Sequence, residues 1–198
     1  MKTLGEVADI RMGFSFRSRL EGNPEGNWAV LQMKDIDEGC QIRFELLTRI
    51  DVVLKAPKQV IRKGDLIFRS RGQSNNAALV DRDFENIVLA APLLLLRPKQ
   101  AVLPTFLHWW INHPVTQSAI SDMAEGTSVR MISKESLGKI EIPLPSLAVQ
   151  RSIADLAEMA RKEQDLLSEM ARLRKRWSDA VLMDLVMRQP GPNEIQEA

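Results

Sequence analysis

The longest regular pattern of apolar and polar positions lies in the last third of the chain. Residues 147 to 187 contain no proline or glycine and are rich in Ala, Leu, Glu, Arg, Lys and Met, the residues that favour helices most. The two prolines in the preceding stretch, Pro143 and Pro145, favour extended backbone. Ser146 stands where a helix N-cap is expected, with Gln150 a turn later. The pattern predicts a single helix of about 60 Å.

One face of this predicted helix is apolar along most of its length. Apolar residues recur at alternating steps of three and four, interrupted by Glu163, Arg174 and Asp184. The apolar members are Ile153, Leu156, Ala160, Leu167, Met170, Trp177 and Val181. Such a stripe is typical of a helix that packs along another helix. That helix belongs either to the same fold or to another chain. Because no second long helix is predicted in this sequence, we favour another chain, paired as an antiparallel coiled coil.

The first hundred residues instead alternate short apolar runs with turn residues, and no helical periodicity stands out. We predict a short element at 4–12 and strands at 28–33, 41–44, 66–70, 77–80, 87–90 and 93–97. From Pro104 the period becomes helical, and Pro114 is expected to kink or restart that helix before residue 124. A further short helix is predicted with Ser133 as its cap. The fold class is therefore α+β, with a mixed β-sheet domain before the long helix.

The length of the chain sets its domain organisation. A chain of 198 residues, 44% of them hydrophobic, holds one domain with a proper core plus an appendage. We assign residues 1–145 to a domain that folds without the helix, 146–188 to the helix, and 189–198 to a disordered tail. The apolar runs are too short to span a bilayer and no basic-then-apolar signal opens the chain. We therefore expect a cytoplasmic protein without membrane contact. A lone Cys40 excludes an internal disulfide.

The net charge of +1 does not by itself indicate nucleic-acid binding, but the local distribution does. Between residues 55 and 71 a single acid, Asp65, stands among six bases: Lys55, Lys58, Arg62, Lys63, Arg69 and Arg71. A basic stripe on a nearly neutral protein is compatible with duplex binding, because phosphates respond to the local field. A solvated surface without a ligand explains the stripe equally well.

Three polar loops are the candidate DNA contacts. Their side chains are Arg17 and Arg19 in the first loop, Arg69, Arg71, Gln73, Ser74, Asn75 and Asn76 around the second, and Thr127, Ser128 and Arg130 in the third. Arg pairs bidentately with guanine, and Asn or Gln with adenine, in the major groove. The same residues also favour ordinary turns for backbone reasons, so both interpretations stay open. Trp109 and Trp110 are more typical of a helix core and rim than of base stacking.

No catalytic or metal-binding pattern is present in the sequence. His108 and His113 are five residues apart, a poor spacing for one helical face, and no cysteine or carboxylate cluster accompanies them. Phosphate-binding and dinucleotide-binding glycine motifs are missing, as is a nucleophile–base arrangement. We therefore assign neither catalytic residues nor a metal.

Four motifs in order make the chain recognisable. The stretch Ile142-Pro143-Leu144-Pro145-Ser146-Leu147, followed by Gln150, Arg151 and Ile153, resembles the junction between a target-recognition domain and a long helix in specificity subunits of type I restriction-modification enzymes. The segments 4–13, 63–72 and 126–137 are similar to that domain's opening, central "GD" strand and closing segment. The family subunit carries two recognition domains and two helices, whereas this chain has room for one of each.

The resemblance implies a sequence-specific DNA-binding subunit that catalyses nothing itself. It implies double-stranded DNA, methyltransferase subunits and an ATP-driven restriction subunit as partners. S-adenosylmethionine, ATP and magnesium would belong to those partners, so no cofactor is expected here. Two copies of a half-length subunit would restore the full layout, and we therefore expect a homodimer that reads a bipartite palindrome.

Two other function classes stay open at this stage. One is a protein-interaction adaptor with a coiled-coil arm, whose loops bind no DNA. The other is an autonomous DNA-modifying enzyme, which the missing catalytic motifs disfavour. Salt-dependent binding to duplex DNA separates the adaptor from the DNA-binding subunit. Methylation or cleavage by the purified chain alone would indicate the enzyme.

Overall fold

The computed structural model describes residues 1–16, 20–37, 39–53, 58–72, 75–124 and 130–188. The strands are β1 (Lys2–Thr3), β2 (Ala8–Met12), β3 (Trp28–Leu31), β4 (Thr48–Ile50), β5 (Leu66–Arg69), β6 (Ala77–Leu79), β7 (Ile87–Leu89), β8 (Leu93–Pro98) and β9 (Glu141–Ile142). The α-helices are α1 (Leu4–Val7), α2 (Pro104–Asn112), α3 (Pro114–Met123), α4 (Lys134–Gly138) and α5 (Leu147–Met187). Two short 3₁₀ helices cover Met33–Asp35 and Phe44–Leu46. The chain divides into two compact units, residues 1–154 and 155–198.

A four-stranded antiparallel sheet, in the order β2-β8-β5-β6, forms the centre of the first unit. Its strand β8 contains four consecutive leucines that are all fully buried, Leu93 to Leu96. Successive side chains of a strand point to opposite faces, so both faces of this sheet are covered. Leu94 and Leu96 join one hydrophobic cluster, and Leu93 and Leu95 join the other.

The two clusters are closed by different layers. Helices α1 to α4 supply the first cluster with residues such as Leu4, Phe106, Ile120 and Leu137. A three-stranded sheet, in the order β4-β3-β7 with β3 and β7 parallel, closes the second cluster through residues of β3 and β7. The first unit thus places its larger sheet between a helical layer and a smaller sheet.

Two glycines permit close backbone contacts beside the smaller sheet. A Cβ atom on Gly13 would lie 2.3 Å from the carbonyl carbon of Ala90, and one on Gly26 would lie 2.5 Å from the carbonyl carbon of Ile50. Both distances are far below any real carbon–carbon contact, so only glycine fits at these positions. Gly13 also donates its N–H to the Leu93 carbonyl at 2.8 Å, which joins the end of β2 to β8.

An ion pair fixes the entry to β5. Arg97 of β8 holds the Asp65 carboxylate through two bonds, Nε to Oδ1 at 2.8 Å and Nη2 to Oδ2 at 2.7 Å. Asp65 is only 2% exposed and also accepts the Arg62 N–H at 2.7 Å. Hydrogen bonding to Asp65 raises the pKa of Arg97 above its ordinary value, so the guanidinium stays charged. Gly64 supplies the left-handed turn before it, at φ +87°.

The first two turns of α5 belong to the first unit. Gln150 is 1% exposed, and its amide makes three hydrogen bonds there. The side-chain nitrogen donates to the carbonyls of Ala101 at 3.1 Å and Pro145 at 2.9 Å, and the side-chain oxygen accepts the Leu103 N–H at 2.9 Å. Ala154 is buried, and Ile153 packs against the first cluster. The boundary placed at residue 145 from the sequence therefore lies ahead of residues that pack into the first unit.

Replacing Gln150 with alanine in the full chain is expected to destabilise the first unit by about 3 kcal/mol, because the three hydrogen bonds made by its buried side-chain amide are lost. Urea unfolding followed by tryptophan fluorescence measures the change. Gln164→Ala is the matched control, since Gln164 lies on the same helix but is exposed. If the two substitutions lower the free energy of unfolding equally, Gln150 does not stabilise the packing of the start of α5 in the first unit.

Most sequence-based elements are confirmed. The α+β class, the long helix from Leu147 to Met187, the break at Pro114 and the cap at Ser133 all appear, with Ser133 Oγ accepting the Ser136 N–H at 3.0 Å. The strand predicted at 41–44 is wrong: Ile42 makes only an isolated bridge, and Phe44 opens a 3₁₀ turn. The single turn α1 was not predicted, because four residues are too few to show helical periodicity.

The second unit, as far as it is described, is the remainder of α5. Its side chains are exposed apart from the half-buried Ala157 and Ser178, and they include many large apolar residues. Within this helix, ion pairs link neighbouring turns, for example Arg161 with Asp165 at 2.7 Å and Arg172 with Glu169. No helix in the described part of the chain is long and apolar enough to cross a membrane.

Candidate nucleic-acid interface

The candidate interface is centred on the end of β5 and the loop that follows it. Arg69, the last residue of β5, is half-buried, and its N–H donates to the Asn76 carbonyl at 2.9 Å. Its side-chain Nε is buried and has no hydrogen-bond partner among the described residues. A buried guanidinium nitrogen without a partner is costly, which makes Arg69 a candidate for an external acceptor.

The two asparagines predicted to contact DNA instead hold this strand end in place. Asn75 is 8% exposed and its amide nitrogen donates to the Arg69 carbonyl at 2.8 Å. The Asn75 carbonyl in turn accepts from Gln117 of α3 at 3.1 Å. Asn76 donates to the Cys40 sulfur at 3.0 Å. Both amide nitrogens therefore point to protein partners in this structure.

Arg71 and Arg130 are brought together by backbone pairing. Arg71 forms an antiparallel bridge with Met131, and the Gly72 N–H donates to the Arg130 carbonyl at 3.2 Å. The second and third polar loops therefore adjoin at this point. Arg71 is exposed and makes no ion pair within the described residues. The Arg130 guanidinium binds the Oγ of Ser121 at 3.0 Å and the Ser121 carbonyl, at the end of α3.

A polar cavity of about 460 Å³ lies beside Arg69. Its lining includes Lys34, Asp37, Arg43 and Arg69. Lys34 and Arg43 were absent from the sequence-based candidates, because they lie far from Arg69 in the chain and in segments without a polar-loop signature. Arg43 is 3.7 Å from Asp37, and Lys34 donates to the Thr48 hydroxyl at 3.3 Å. Burial raises the pKa of the neighbouring Cys40 thiol, so Cys40 adds no negative charge at neutral pH.

The remaining candidate DNA contacts lie outside the described residues. They are Arg17, Arg19, Gln73, Ser74, Thr127 and Ser128.

The predicted dimer stripe on α5 is exposed beyond Ile153. Leu156, Leu167, Met170 and Trp177 are 59–68% exposed, Ala160 is exposed and Val181 is 39% exposed. Met159, Leu166 and Leu173, which were not among the predicted residues, recur every seven residues beside the stripe and are exposed too. The apolar face is therefore wider than predicted, and spans about three of every seven positions.

Residues 1–163 match the family described as Type I restriction modification DNA specificity domain. The match includes the whole first unit and the beginning of the second. The chain belongs to this family. The resemblance identified from the four motifs is thereby confirmed.

The specificity domain has curated relatives of moderate identity. It is 24% identical over 132 residues to the specificity subunit of the type I restriction enzyme EcoBI from Escherichia coli, covering 65% of this chain and 27% of that subunit. It is 24% identical over 195 residues to the MjaIX specificity subunit of Methanocaldococcus jannaschii, covering 89% of this chain and 43% of that subunit. The chain thus spans less than half the length of these relatives.

Solved structures share the fold of the specificity domain. The HsdS subunit from Thermoanaerobacter tengcongensis matches with a TM-score of 0.61 at 24% identity, over 85% of this chain and 38% of that one. A chain from a structure of complex assembly and conformational transition in the type I R-M system matches with a TM-score of 0.67 at 22% identity, over 91% and 44%. At this level of identity the likeness concerns the α+β fold.

The described residues of the specificity domain contain no group of three or more His, Cys, Asp or Glu side chains that could hold a metal ion. His113 has a local role instead, since its Nδ1 accepts the Val115 N–H at 3.3 Å and caps α3. Trp109 and Trp110 pack against the first hydrophobic cluster, as a core-and-rim role requires.

Proposed function

We propose that this chain is a sequence-specific DNA-binding specificity subunit of a type I restriction-modification complex. The observation that carries this proposal is the family match over residues 1–163, which includes the unit with the basic loop surface. The subunit selects the target, and catalysis takes place on partner subunits. It would work in the cytoplasm, where it has access to the chromosome. The primary test is a mobility-shift assay with labelled duplex DNA and the purified chain. Binding is expected to weaken steeply as the salt concentration rises.

The DNA face comprises Arg69, Arg71 and the adjoining Arg130 segment. Arg71 is the best placed of these to reach a base or a phosphate, because it is exposed and has no ion-pair partner in the described part of the chain. Asn75 and Asn76 support the surface from behind through their bonds to Arg69 and Cys40. The candidates in the undescribed loops, from Arg17 to Ser128, stay part of the proposed face.

Arg71→Ala is expected to weaken duplex binding by about 1–3 kcal/mol without lowering the melting temperature, since the side chain is exposed. Fluorescence anisotropy on two unrelated duplexes and on single-base variants of the target measures the loss. A phosphate contact weakens all duplexes alike, and a base contact relaxes one position.

Asn75→Ala is the contrasting variant for Arg71. It is expected to lower the melting temperature, because a buried amide and its bonds are lost. If Arg71→Ala changes neither affinity nor sequence preference, Arg71 does not contact DNA.

The proposed partner for the stripe of α5 is a second copy of this chain in antiparallel orientation. Charge distribution on the helix supports that orientation. Residues 155–165 carry four acids and two bases, a net charge of −2, and residues 169–179 carry two acids and four bases, a net charge of +2. An antiparallel pair centred on Leu167 places each segment opposite the other, whereas a parallel pair places like charges together.

Antiparallel pairing has a consequence for the target. A two-fold axis perpendicular to the helices relates the two recognition domains, and two-fold proteins read inverted half-sites. The helix of 41 residues, about 60 Å, exceeds one DNA turn of about 34 Å. We therefore propose a bipartite palindrome whose unread spacer is set by the helices.

Methyltransferase subunits and a restriction subunit are the proposed protein partners. S-adenosylmethionine, ATP and magnesium would be bound by those subunits and used there for methylation and ATP-driven restriction. Measuring the mass of the complex formed with purified methyltransferase subunits tests this assembly. Methylation by this chain alone would contradict the non-catalytic assignment.

A further inference from the structure

The cavity beside Arg69 is formed by segments that are distant in sequence. Lys34 comes from the 3₁₀ turn after β3, Arg43 from the loop before the second 3₁₀ turn, and Arg69 from the end of β5. The fold therefore gathers three cations around one concave surface. Like charges held together are unfavourable unless an anion or a nearby acid compensates them.

The nearby acids compensate this cluster only in part. Among the described lining residues Asp37 is the one acid, and its Oδ1 already accepts the Gln41 N–H at 2.9 Å while its Oδ2 is 3.7 Å from Arg43. Asp35 is buried at 2% exposure, with its Oδ2 accepting the Gln32 N–H at 2.8 Å. The described lining residues therefore comprise three cations and one carboxylate, which gives this part of the surface a net positive charge.

Arg69 is the element of the cavity that most requires an acceptor. Two hydrogen bonds fix its backbone: the Arg69 N–H donates to the Asn76 carbonyl, and the Arg69 carbonyl accepts from the Asn75 side-chain amide. Its buried Nε has no acceptor among the described residues. The backbone of Arg69 is thus held in place while its side chain lines the cavity, where a ligand oxygen would accept from the guanidinium at little ordering cost.

We propose that Lys34, Arg43 and Arg69 form a binding site for one phosphodiester group of the DNA backbone. The site rests on the proposed DNA-binding function and adds to it a positioning contact that carries no sequence information. The side chains of Lys34, Arg43 and Arg69 supply donors only, as a phosphate oxygen requires, and the described lining residues include no aromatic side chain on which a base could stack.

The test is the paired substitution Lys34→Ala with Arg43→Ala in the full chain. Both residues are exposed, so folding is expected to be retained and is checked by thermal melting. Affinity for two unrelated duplexes is measured by anisotropy between about 50 and 200 mM salt. Both duplexes are expected to lose affinity by the same factor, about tenfold, and the slope of log K against log salt is expected to fall by about 1 for each recognition domain bound.

Two controls separate the site from general charge. Lys2→Ala with Lys139→Ala removes two exposed bases that lie outside both the basic stretch of residues 55–71 and the proposed DNA face, and is expected to leave the salt slope nearly unchanged. Lys34→Arg with Arg43→Lys keeps both charges and is expected to retain most of the affinity.

Four results would overturn the assignment. If the Lys34→Ala/Arg43→Ala variant and the alanine control variant lose equal affinity, the loss reflects the overall electrostatic attraction of the protein and not a local phosphate site. A loss confined to one of the two duplexes would indicate base reading at this position. If the Lys34→Ala/Arg43→Ala variant binds with wild-type affinity and an unchanged salt slope, the phosphate site is wrong, but the proposed DNA-binding function is not affected. A wild-type chain that binds neither duplex would overturn both proposals together.

Discussion

A chain carrying Leu167→Asp and Met170→Asp is expected to be monomeric at concentrations where the wild-type chain is a dimer. In the proposed antiparallel pair these residues lie at the two-fold axis, so four apolar side chains are lost and four carboxylates meet. Burial of each side chain is worth at least about 1.5 kcal/mol, which gives about 6 kcal/mol for the dimer. That corresponds to a dissociation constant raised by about four orders of magnitude. Sedimentation velocity over a concentration series measures the change.

The matched control for the stripe is Ser168→Asp with Ala171→Asp. It adds the same two charges at the same spacing, shifted by one residue onto positions outside the stripe. It is expected to keep the dimer. A wild-type chain that stays monomeric at high micromolar concentration contradicts the homodimer. A dimer that survives the Leu167 and Met170 substitutions contradicts this stripe as its seam.

Asp65→Ala is expected to lower the free energy of unfolding by about 3–5 kcal/mol, because it leaves the Arg97 guanidinium half-buried without its partner. The Asp65 side chain is 2% exposed and that of Arg97 is 24% exposed, so solvent offers little replacement. The Arg62 N–H also loses its acceptor, which loosens the turn before β5. Urea unfolding of the full chain, followed by tryptophan fluorescence, measures the loss.

Asp81→Ala provides the comparison for a surface pair. Asp81 and Arg82 are 63% and 65% exposed in their side chains, and such pairs contribute at most about 1 kcal/mol. In the buried pair, adding Arg97→Met to Asp65→Ala is expected to restore part of the stability, since the unpaired charge is removed. If Asp65→Ala costs no more than Asp81→Ala, the ion pair is not a determinant of stability.

The elements that the sequence predicted correctly are those whose signal is local. The absence of proline and glycine over 41 residues is enough to predict α5, and Pro114 alone is enough to predict the break between α2 and α3. The run of leucines in β8 predicts a buried strand, since a strand that is covered on both faces has consecutive apolar residues. The strand prediction at 41–44 was wrong because a short apolar alternation also occurs in a 3₁₀ turn, and here the turn packs Phe44 against Phe84.

The candidate site was only partly predictable because its members come from distant segments. Arg69 and Arg71 could be found from a local run of bases. Lys34 and Arg43 could not, since only the pairing of β3, β4 and the loop between them brings them to the end of β5. Residue type alone also does not show that the side-chain amide of Asn75 donates to the Arg69 carbonyl.

The buried amide of Gln150 also determines how a recognition domain could be exchanged between relatives to build a chimera of new specificity. A splice at Ser146 would take Gln150 from one parent and its acceptors, Ala101 and Pro145, from the other. The geometry of these hydrogen bonds in the chimera would then differ from that in either parent. A splice after Ala154 transfers Gln150 together with all its partners, and the helix that remains to be matched is exposed apart from Ala157 and Ser178. The natural module boundary for recombination therefore lies inside the helix, about two turns beyond its first residue.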